Sequence, residues 1–388
     1  MMVCAILALC VWGVLLFARG GFWRVDGELL EGKGSAPGAE RRAILAIVPA
    51  RNEADVLPTT LPALLTQTTS GPFRVLLVDD HSSDGTGALA RRLAAECGAA
   101  DRLTVIEAAP LRKGWTGKLG AMQSGLDHAR ATGESAERIL FTDADIAYGP
   151  GALARLEAEA DQRGTVLASL MVKLRAESAA ERWLIPAFVY FFRMLYPFRW
   201  VADPGRRTAA AAGGAMLVDR KALDAMGGLD AIRGSLIDDV AMGTLMKKAG
   251  PVWLGLTNAV HSVRAYPAFK DIQAMVVRSA YTELRHSPLR LLIAILGLSL
   301  VFLVPPVAAL VGDGPARLAG IIAWAAMALS FVPIARFYGV GAWRGLALPG
   351  VAALYGVFTV QSAVLHAMGR GGAWKGRVQA ATGETHEA

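Results

Sequence analysis

Cysteine is scarce in this chain. Three occur in 388 residues, at Cys4, Cys10 and Cys97. That number excludes a disulfide scaffold, and their spacing excludes a cysteine metal site. Charge is also scarce. Asp, Glu, Lys and Arg make up 19% and apolar residues 54%, against roughly 25% and 45–50% in an ordinary globular chain. With a mean hydropathy of +0.39, the chain is neither disordered nor wholly soluble. Its 42 glycines follow no repeating period, so it is not collagen-like. No Walker A sequence and no Gly-x-Gly-x-x-Gly after a strand occurs, so ATPase and dinucleotide chemistry lack support. The net charge is +7 and the pI about 9.5, yet no basic run alternates with aromatics. Nucleic acid is therefore not an expected partner. Positive charge beside membrane spans is the simpler reading.

Four stretches contain no Asp, Glu, Lys or Arg: residues 1–18, 291–312, 318–335 and 345–369. Each approaches or exceeds the ~20 residues that cross hydrocarbon as a helix. The first lacks a basic region before its apolar run, as a cleaved signal peptide would need, and reads as an uncleaved anchor. Arg19 and Arg24 follow it, which predicts a cytoplasmic location for the next residues. Pro305-Pro306 is expected to kink or break the second stretch. The lack of acidic and basic residues argues against an ion pathway. One anchor and three further spans place the C-terminus outside. The tail, 369–388, nevertheless carries Arg370, Lys375 and Arg377. Either it departs from the positive-inside tendency or one C-terminal segment is re-entrant.

Residues 19–42 are rich in Gly and charge and read as a linker. A domain is expected over 43–287, and a membrane region over 288–368. Short apolar runs at 44–50, 73–79, 103–108 and 138–143 alternate with helical patterns at 55–66, 85–97 and 118–131. This is the pattern of an α/β domain with a mostly parallel sheet. Ligands of such sheets sit beyond the carboxyl ends of the strands. Here those ends carry Pro49-Ala50-Arg51-Asn52-Glu53, then Asp79-Asp80 with Asp84 as a helix cap, then Asp143-Ala144-Asp145. Like charges gathered at one edge require a cation or a donor-rich ligand. Asp-x-Asp offers hard oxygen ligands suited to Mg²⁺ or Mn²⁺ bridged to phosphate. Lys118, at a helix start, adds an anion site.

The ordered set PARNEADVL (49–57), VDDHSSDGT (78–86), GKLGA (117–121), TDADI (142–146), AAGGAML (211–217) and LIDDVAMGTLMKKAG (236–250) resembles family 2 glycosyltransferases, inverting enzymes of GT-A fold that use nucleotide sugars. The anchor, the segment 184–198 and the C-terminal spans are similar to the hopene-associated subfamily. The resemblance implies a nucleotide diphosphate sugar donor, a UDP-sugar, held by Pro49, Ala50, Arg51, Asn52 and Glu53, by Asp80 with Asp79 beside it, and by Lys118 and Asp143. It implies a divalent metal, Mg²⁺ or Mn²⁺, on Asp145 and Asp143, and a catalytic base at Asp239. Asp238 stands where the family has Glu. The Gln-x-x-Arg-Trp sequence of processive synthases is missing; Arg285 in TELRHSP (282–288) has no following Trp.

Residues 183–200 have Trp at both ends and internal Arg193 and Arg199. Too interrupted to span, the segment is expected to lie in the headgroup layer, with a core helix as the alternative. Gly213 and Gly214 are expected on the acceptor side, where backbone approaches ligand closely. The expected protein is a multi-pass enzyme of the bacterial plasma membrane, with a cytoplasmic catalytic domain that moves one sugar to a lipid of hopanoid type. The alternatives are a processive polysaccharide synthase and a non-catalytic nucleotide-binding scaffold.

Overall fold

The computed structural model describes residues 1–25, 41–371, 373–374 and 377–378. Most of the expected linker and most of the tail lie outside the described residues.

Helix α1 (Met2–Ala18) opens the chain. The α/β unit follows as β1 (Ile44–Ala50), α2 (Leu57–Leu65), β2 (Phe73–Asp79), α3 (Thr86–Glu96), β3 (Leu103–Glu107), α4 (Gly117–Ala131) and β4 (Arg138–Thr142). These elements fall within two residues of the limits read from the apolar runs. Strands β5 (Ile146–Tyr148), β6 (Leu167–Lys173), β7 (Ala215–Asp219) and β8 (Val252–Ser262) complete one sheet, with α5 (Ala152–Arg163) between β5 and β6. The sheet order is β3-β2-β1-β4-β7-β6-β8-β5. Strands β3, β2, β1 and β4 are mutually parallel. Strand β7 runs antiparallel to both neighbours, and β8 is parallel to β6. Every residue of β1 is buried, as expected for a strand covered on both faces.

Between β6 and β7 the chain forms α6 (Ala179–Leu195) and α7 (Phe198–Ala202). Ser178 and Glu181 make a reciprocal capping box at the start of α6. The segment 183–200, expected in the headgroup layer, is largely interior instead. Leu184, Ile185, Val189, Tyr190 and Phe198 are buried, and the Tyr190 and Ser330 hydroxyls share a 2.6 Å hydrogen bond. The physical reason is that its aromatic face has protein to cover it. Tyr190 packs edge-to-face on Phe22 and Phe331, and Phe191 does so on Phe302 and Tyr355. Buried Arg193 donates to the carbonyls of Phe22 and Arg24.

After β7 come α8 (Arg220–Ala225) and α9 (Asp238–Met246). After β8, α10 (Phe269–Glu283) leads to α11 (Pro288–Leu298), a π-helical turn at Ser299–Leu303, α12 (Val304–Val311), α13 (Gly314–Phe337) and α14 (Leu348–Ala367). Short strands β9 (Ala373–Trp374) and β10 (Arg377–Val378) pair antiparallel. Among the described residues, three helical stretches, Pro288–Val311, Gly314–Phe337 and Ala342–Ala367, are long and apolar enough to cross a membrane; α1 is apolar but shorter. Their large apolar residues face outward: Leu289, Leu292 and Leu296 of α11, Leu318 and Leu329 of α13, Val357 and Val364 of α14. This surface is made for lipid rather than water.

The helix changes from a π-helical turn at Ser299–Leu303 to α12 next to Pro305. Pro305 has no N–H for the Val301 carbonyl four residues earlier, and Trp12 Nε1 of α1 donates to that oxygen at 2.8 Å. Pro186 in α6 likewise frees the carbonyl of Arg182, which accepts from Arg344 Nη1 at 2.5 Å. Two proline-broken ladders are thus closed by side chains from distant helices.

The C-terminal segments do not alternate as three straight crossings. Such crossings would make the first and third parallel. In the structure the His286 ring, just before α11, stacks on His366 near the end of α14, with centroids 4.0 Å apart. Midway, Gly356 lies against Ile295 and Leu298. Helices α11 and α14 are therefore antiparallel, and the end of α14 returns to the level where α11 begins.

Candidate active site

The sheet fixes the site by aligning strand ends. Ala50 is paired with Asp79 at the ends of β1 and β2. Asp80 N donates to the Ala50 carbonyl at 2.8 Å. Two loops are then laced together. Asn52, in the left-handed region at φ 50°, donates its N–H to Ser82 Oγ at 3.0 Å and accepts from Ser83 N at 2.8 Å through Oδ1. Glu53 N donates to Thr86 Oγ1 at 2.9 Å. Asp84 accepts from Thr86 N and Ala54 N, each at 3.0 Å. It therefore ties the loops as well as steadying the start of α3, where Gly85 occupies the cap position. Arg51 Nη1 donates to the Asp80 carbonyl at 2.8 Å and lies 3.6 Å from its buried carboxylate. Asp79 accepts from Ser82 N at 2.9 Å. Pro49 to Glu53, Asp79 and Asp80 thus form one wall.

Lys118 forms the centre. It opens α4 behind a Thr116 cap. Its Nζ lies 2.8 Å from Asp143 Oδ1 and 3.1 Å from Asp238 Oδ2. Burial works against the Lys118 charge, and the flanking Asp143 and Asp238 carboxylates overcome it, holding the ammonium above its ordinary range. Asp143 is raised, by burial first and then by Asp145, against the lowering influence of Lys118. Asp239 Oδ2 accepts from Gly213 N at 3.1 Å, and Oδ1 from Val240 N at 2.8 Å. Burial, then the neighbouring Asp238 charge, pushes the Asp239 carboxyl up to about 6. A carboxylate in that range is a serviceable base near neutral pH.

Gly213 belongs to this cluster. A Cβ there would stand 3.1 Å from Lys118 Nζ and 3.7 Å from Asp239 Oδ2. Gly214 is different. A Cβ there would meet Val172 at 2.8 Å, and its carbonyl accepts from Thr142 at 2.7 Å. Its smallness serves packing under the site, not the acceptor side.

Asp145 faces away from Lys118. Its Oδ2 accepts from Ser262 Oγ at 2.6 Å and lies 3.4 Å from Arg264 Nε. Arg264 also donates to Glu53. The register of β5 on β8, Ile146 opposite Ser262, places these groups together. Arg264, Ser262 and Tyr266 were missed from the sequence. The available signal was the long run VWLGLTNAVHS, which reads as a strand and delivers Arg264 to a strand end. Tyr266 N donates to Glu181 Oε1 at 2.6 Å, tying this loop to α6. At the far end of α6, Tyr196 donates to Glu283 of α10.

Among the described residues no three His, Cys, Asp or Glu side chains converge as a ready metal cage. The donor set fits a different kind of site, in which one or two carboxylates hold Mg²⁺ or Mn²⁺ and phosphate and water supply the rest.

Residues 45–227 match the family model described as glycosyl transferase family 2. No curated protein matches the chain. Among solved structures it is similar to a mannosyltransferase from Pyrobaculum calidifontis in complex with GDP-Man and Mn²⁺, at 19% identity over 91% of this chain and 99% of that one, with a TM-score of 0.54. It is also similar to glucosyl-3-phosphoglycerate synthase from Mycobacterium tuberculosis in complex with Mn²⁺ and UDP-Glc, at 18% identity over 63% of this chain and 78% of that one, with a TM-score of 0.38. The chain therefore carries a glycosyltransferase domain on a GT-A-like sheet.

Proposed function

We propose that this glycosyltransferase is an inverting, membrane-bound enzyme that moves one sugar from a nucleotide diphosphate sugar, a UDP-sugar, to a lipid hydroxyl. The observation that carries the reading is the Asp239 carboxylate. It is buried, raised to about 6, anchored on Gly213 N, and it opens a helix beside Lys118. As the acceptor oxygen forms its bond to the sugar carbon, its proton passes to Asp239. The sugar–diphosphate bond breaks on the opposite face, and its electron pair leaves with the diphosphate. Lys118, an ammonium fixed between two carboxylates, faces the developing negative charge. A divalent cation held by Asp145, with Asp143, would neutralise the leaving diphosphate. The wall from Pro49 to Asp80 receives the nucleoside.

A lipid acceptor is supported by the Tyr196–Glu283 contact. Asp239 and Arg285 both act electrostatically on Tyr196. The C-terminal ends of α6 and α10, the second of which leads into the lipid-facing α11, therefore border the base. The hopanoid class rests on the subfamily resemblance in 184–198 and the spans. Lipid profiles of a deletion strain by mass spectrometry test it: loss of a glycosylated polycyclic lipid is expected, and an unchanged lipid pool with altered polysaccharide would reject it. Hydrolysis of UDP-sugars by the purified chain separates the enzyme from a scaffold. Arg19 and Arg24 favour a cytoplasmic catalytic domain in the bacterial plasma membrane. Alkaline phosphatase fused after residue 150 should be inactive, and periplasmic activity there would reverse that orientation.

A further inference from the structure

Five carboxylates, Glu53, Asp143, Asp145, Asp238 and Asp239, stand around the site, and two cations, Lys118 and Arg264, are paired with four of them. The two cations are not equivalent. Lys118 is enclosed between Asp143 and Asp238. Arg264 lies at the rim, its side chain 27% exposed, and reaches across to Glu53 and to the same Asp145 oxygen that Ser262 binds. The Asp145 carboxylate carries a single negative charge, and Arg264 already neutralises part of it, so a second cation gains less there while the guanidinium stays. An incoming divalent cation and the Arg264 guanidinium therefore compete for Asp145.

The backbone around this contact is held. Val263 N donates to the Asp145 carbonyl at 2.9 Å, Arg264 N to Ser262 Oγ at 3.3 Å, and Tyr266 N to buried Glu181. The loop cannot withdraw without breaking these bonds. The side chain can, since it is long, partly in water and tied only at its tip.

We infer that Arg264 is the stand-in counter-ion of the metal-binding carboxylate, released from Asp145 when a divalent cation arrives and then available to the donor diphosphate. Before the cation binds, Arg264 keeps Asp145 and Glu53 from repelling each other. Afterwards the guanidinium has lost its carboxylate and faces the newly delivered diphosphate, for which its planar fork is suited. Exchange of partners thus couples metal binding to donor binding without movement of the main chain. This rests on the proposed role of Asp145.

The test is a pair of binding measurements on the full chain in detergent. Mn²⁺ alone is titrated by electron paramagnetic resonance of the free ion, and UDP is titrated by calorimetry at saturating Mn²⁺. Arg264→Gln should tighten Mn²⁺ about tenfold and weaken UDP about tenfold, the scale of a single charge-assisted hydrogen bond. Arg264→Lys, which keeps charge but cannot span both acids, should lie between the two and guards against a misfolded first variant. Opposite signs are the signature. Both affinities falling together, or Mn²⁺ affinity unchanged, overturns the exchange while leaving Asp145 as ligand. If the unaltered protein binds no Mn²⁺, or Asp145→Asn binds it equally well, the metal reading fails and the exchange falls with it.

Discussion

The two halves of this molecule solve the problem of buried polarity in opposite ways. At the strand ends, charges are gathered and neutralise one another: Lys118 between Asp143 and Asp238, Arg264 between Glu53 and Asp145. In the helical half, outer surfaces are apolar, and single donors close single gaps: Trp12 on Val301, Arg344 on Arg182, Tyr355 on Leu184. The first arrangement can exchange ions, because each partner can be replaced by another charge. The second cannot, because a missing donor there leaves an oxygen without water to replace it. One half is therefore suited to chemistry and the other to holding.

The largest effect should come from emptying the ionic half. Chelation with EDTA is expected to abolish turnover, with Mn²⁺ or Mg²⁺ restoring it. Asp145→Asn removes one ligand charge and should lose donor binding under the same conditions. Full activity in chelator would show that the carboxylates are balanced by protein cations alone.

Next comes Asp239→Asn, which keeps shape and deletes the basic oxygen. Loss of a general base costs ~10²–10⁴-fold in kcat. Donor affinity measured by calorimetry should barely move, since the role is confined to the transition state. A folded variant with normal turnover would place the base elsewhere. At pH 7.5 the substitution relieves a buried charge but takes an acceptor from one of the two backbone N–H groups that bind Asp239, so the change in Tm should be small. Between the ordinary carboxyl range and about 6, the native state holds a proton that the unfolded chain has released, so this group's contribution falls as pH rises.

These site residues were legible for a local reason. Asp79, Asp80, Asp143 and Asp145 each follow an uninterrupted apolar run, and parallel strands deliver their C-termini to one edge. Half of the sheet was not legible in that way. Strand β5 has three residues, too few for a period. Strand β7 is antiparallel, so the sequence near Gly213 and Gly214 gives no sign that one glycine faces Lys118 and the other packs on Val172. Arg264 sits 119 residues from Asp145, and only the pairing of β5 with β8 joins them. The segment 183–200 has the composition of a headgroup-layer helix, and only its partners, from residues 22 to 355, make it interior.

A smaller effect concerns pH. The raised Asp239 carboxyl must be ionised to accept a proton. The profile of kcat/KM should bend near pH 6 and fall about tenfold per unit below it. Burial is the first cause of the rise and the Asp238 charge the second. Asp238→Asn should therefore move the bend to lower pH. A bend that stays in place would assign it to another group.

The smallest effect tests the helical half. Pro305 cannot donate to the Val301 carbonyl, and Trp12 Nε1 does so from the first helix at 2.8 Å. Trp12 has no exposed surface, and its ring meets Phe302 edge-on with centroids 5.8 Å apart. Trp12→Phe retains most of the ring packing and removes the donor. Hydrogen bonds between helices in lipid contribute about 0.6–2 kcal/mol, so a fall in stability of that size is expected, read as a lower Tm in detergent. Donor hydrolysis should be unchanged, because no charge at the strand ends is involved. Trp12→Leu should cost more, since it also leaves a cavity beside Phe302. The comparison between the two variants isolates the hydrogen bond. If Trp12→Phe is as stable as the parent, another donor reaches Val301, and α1 holds the bundle through packing alone. If it loses donor hydrolysis while remaining folded, the two halves are coupled, and the division drawn between chemistry and holding fails.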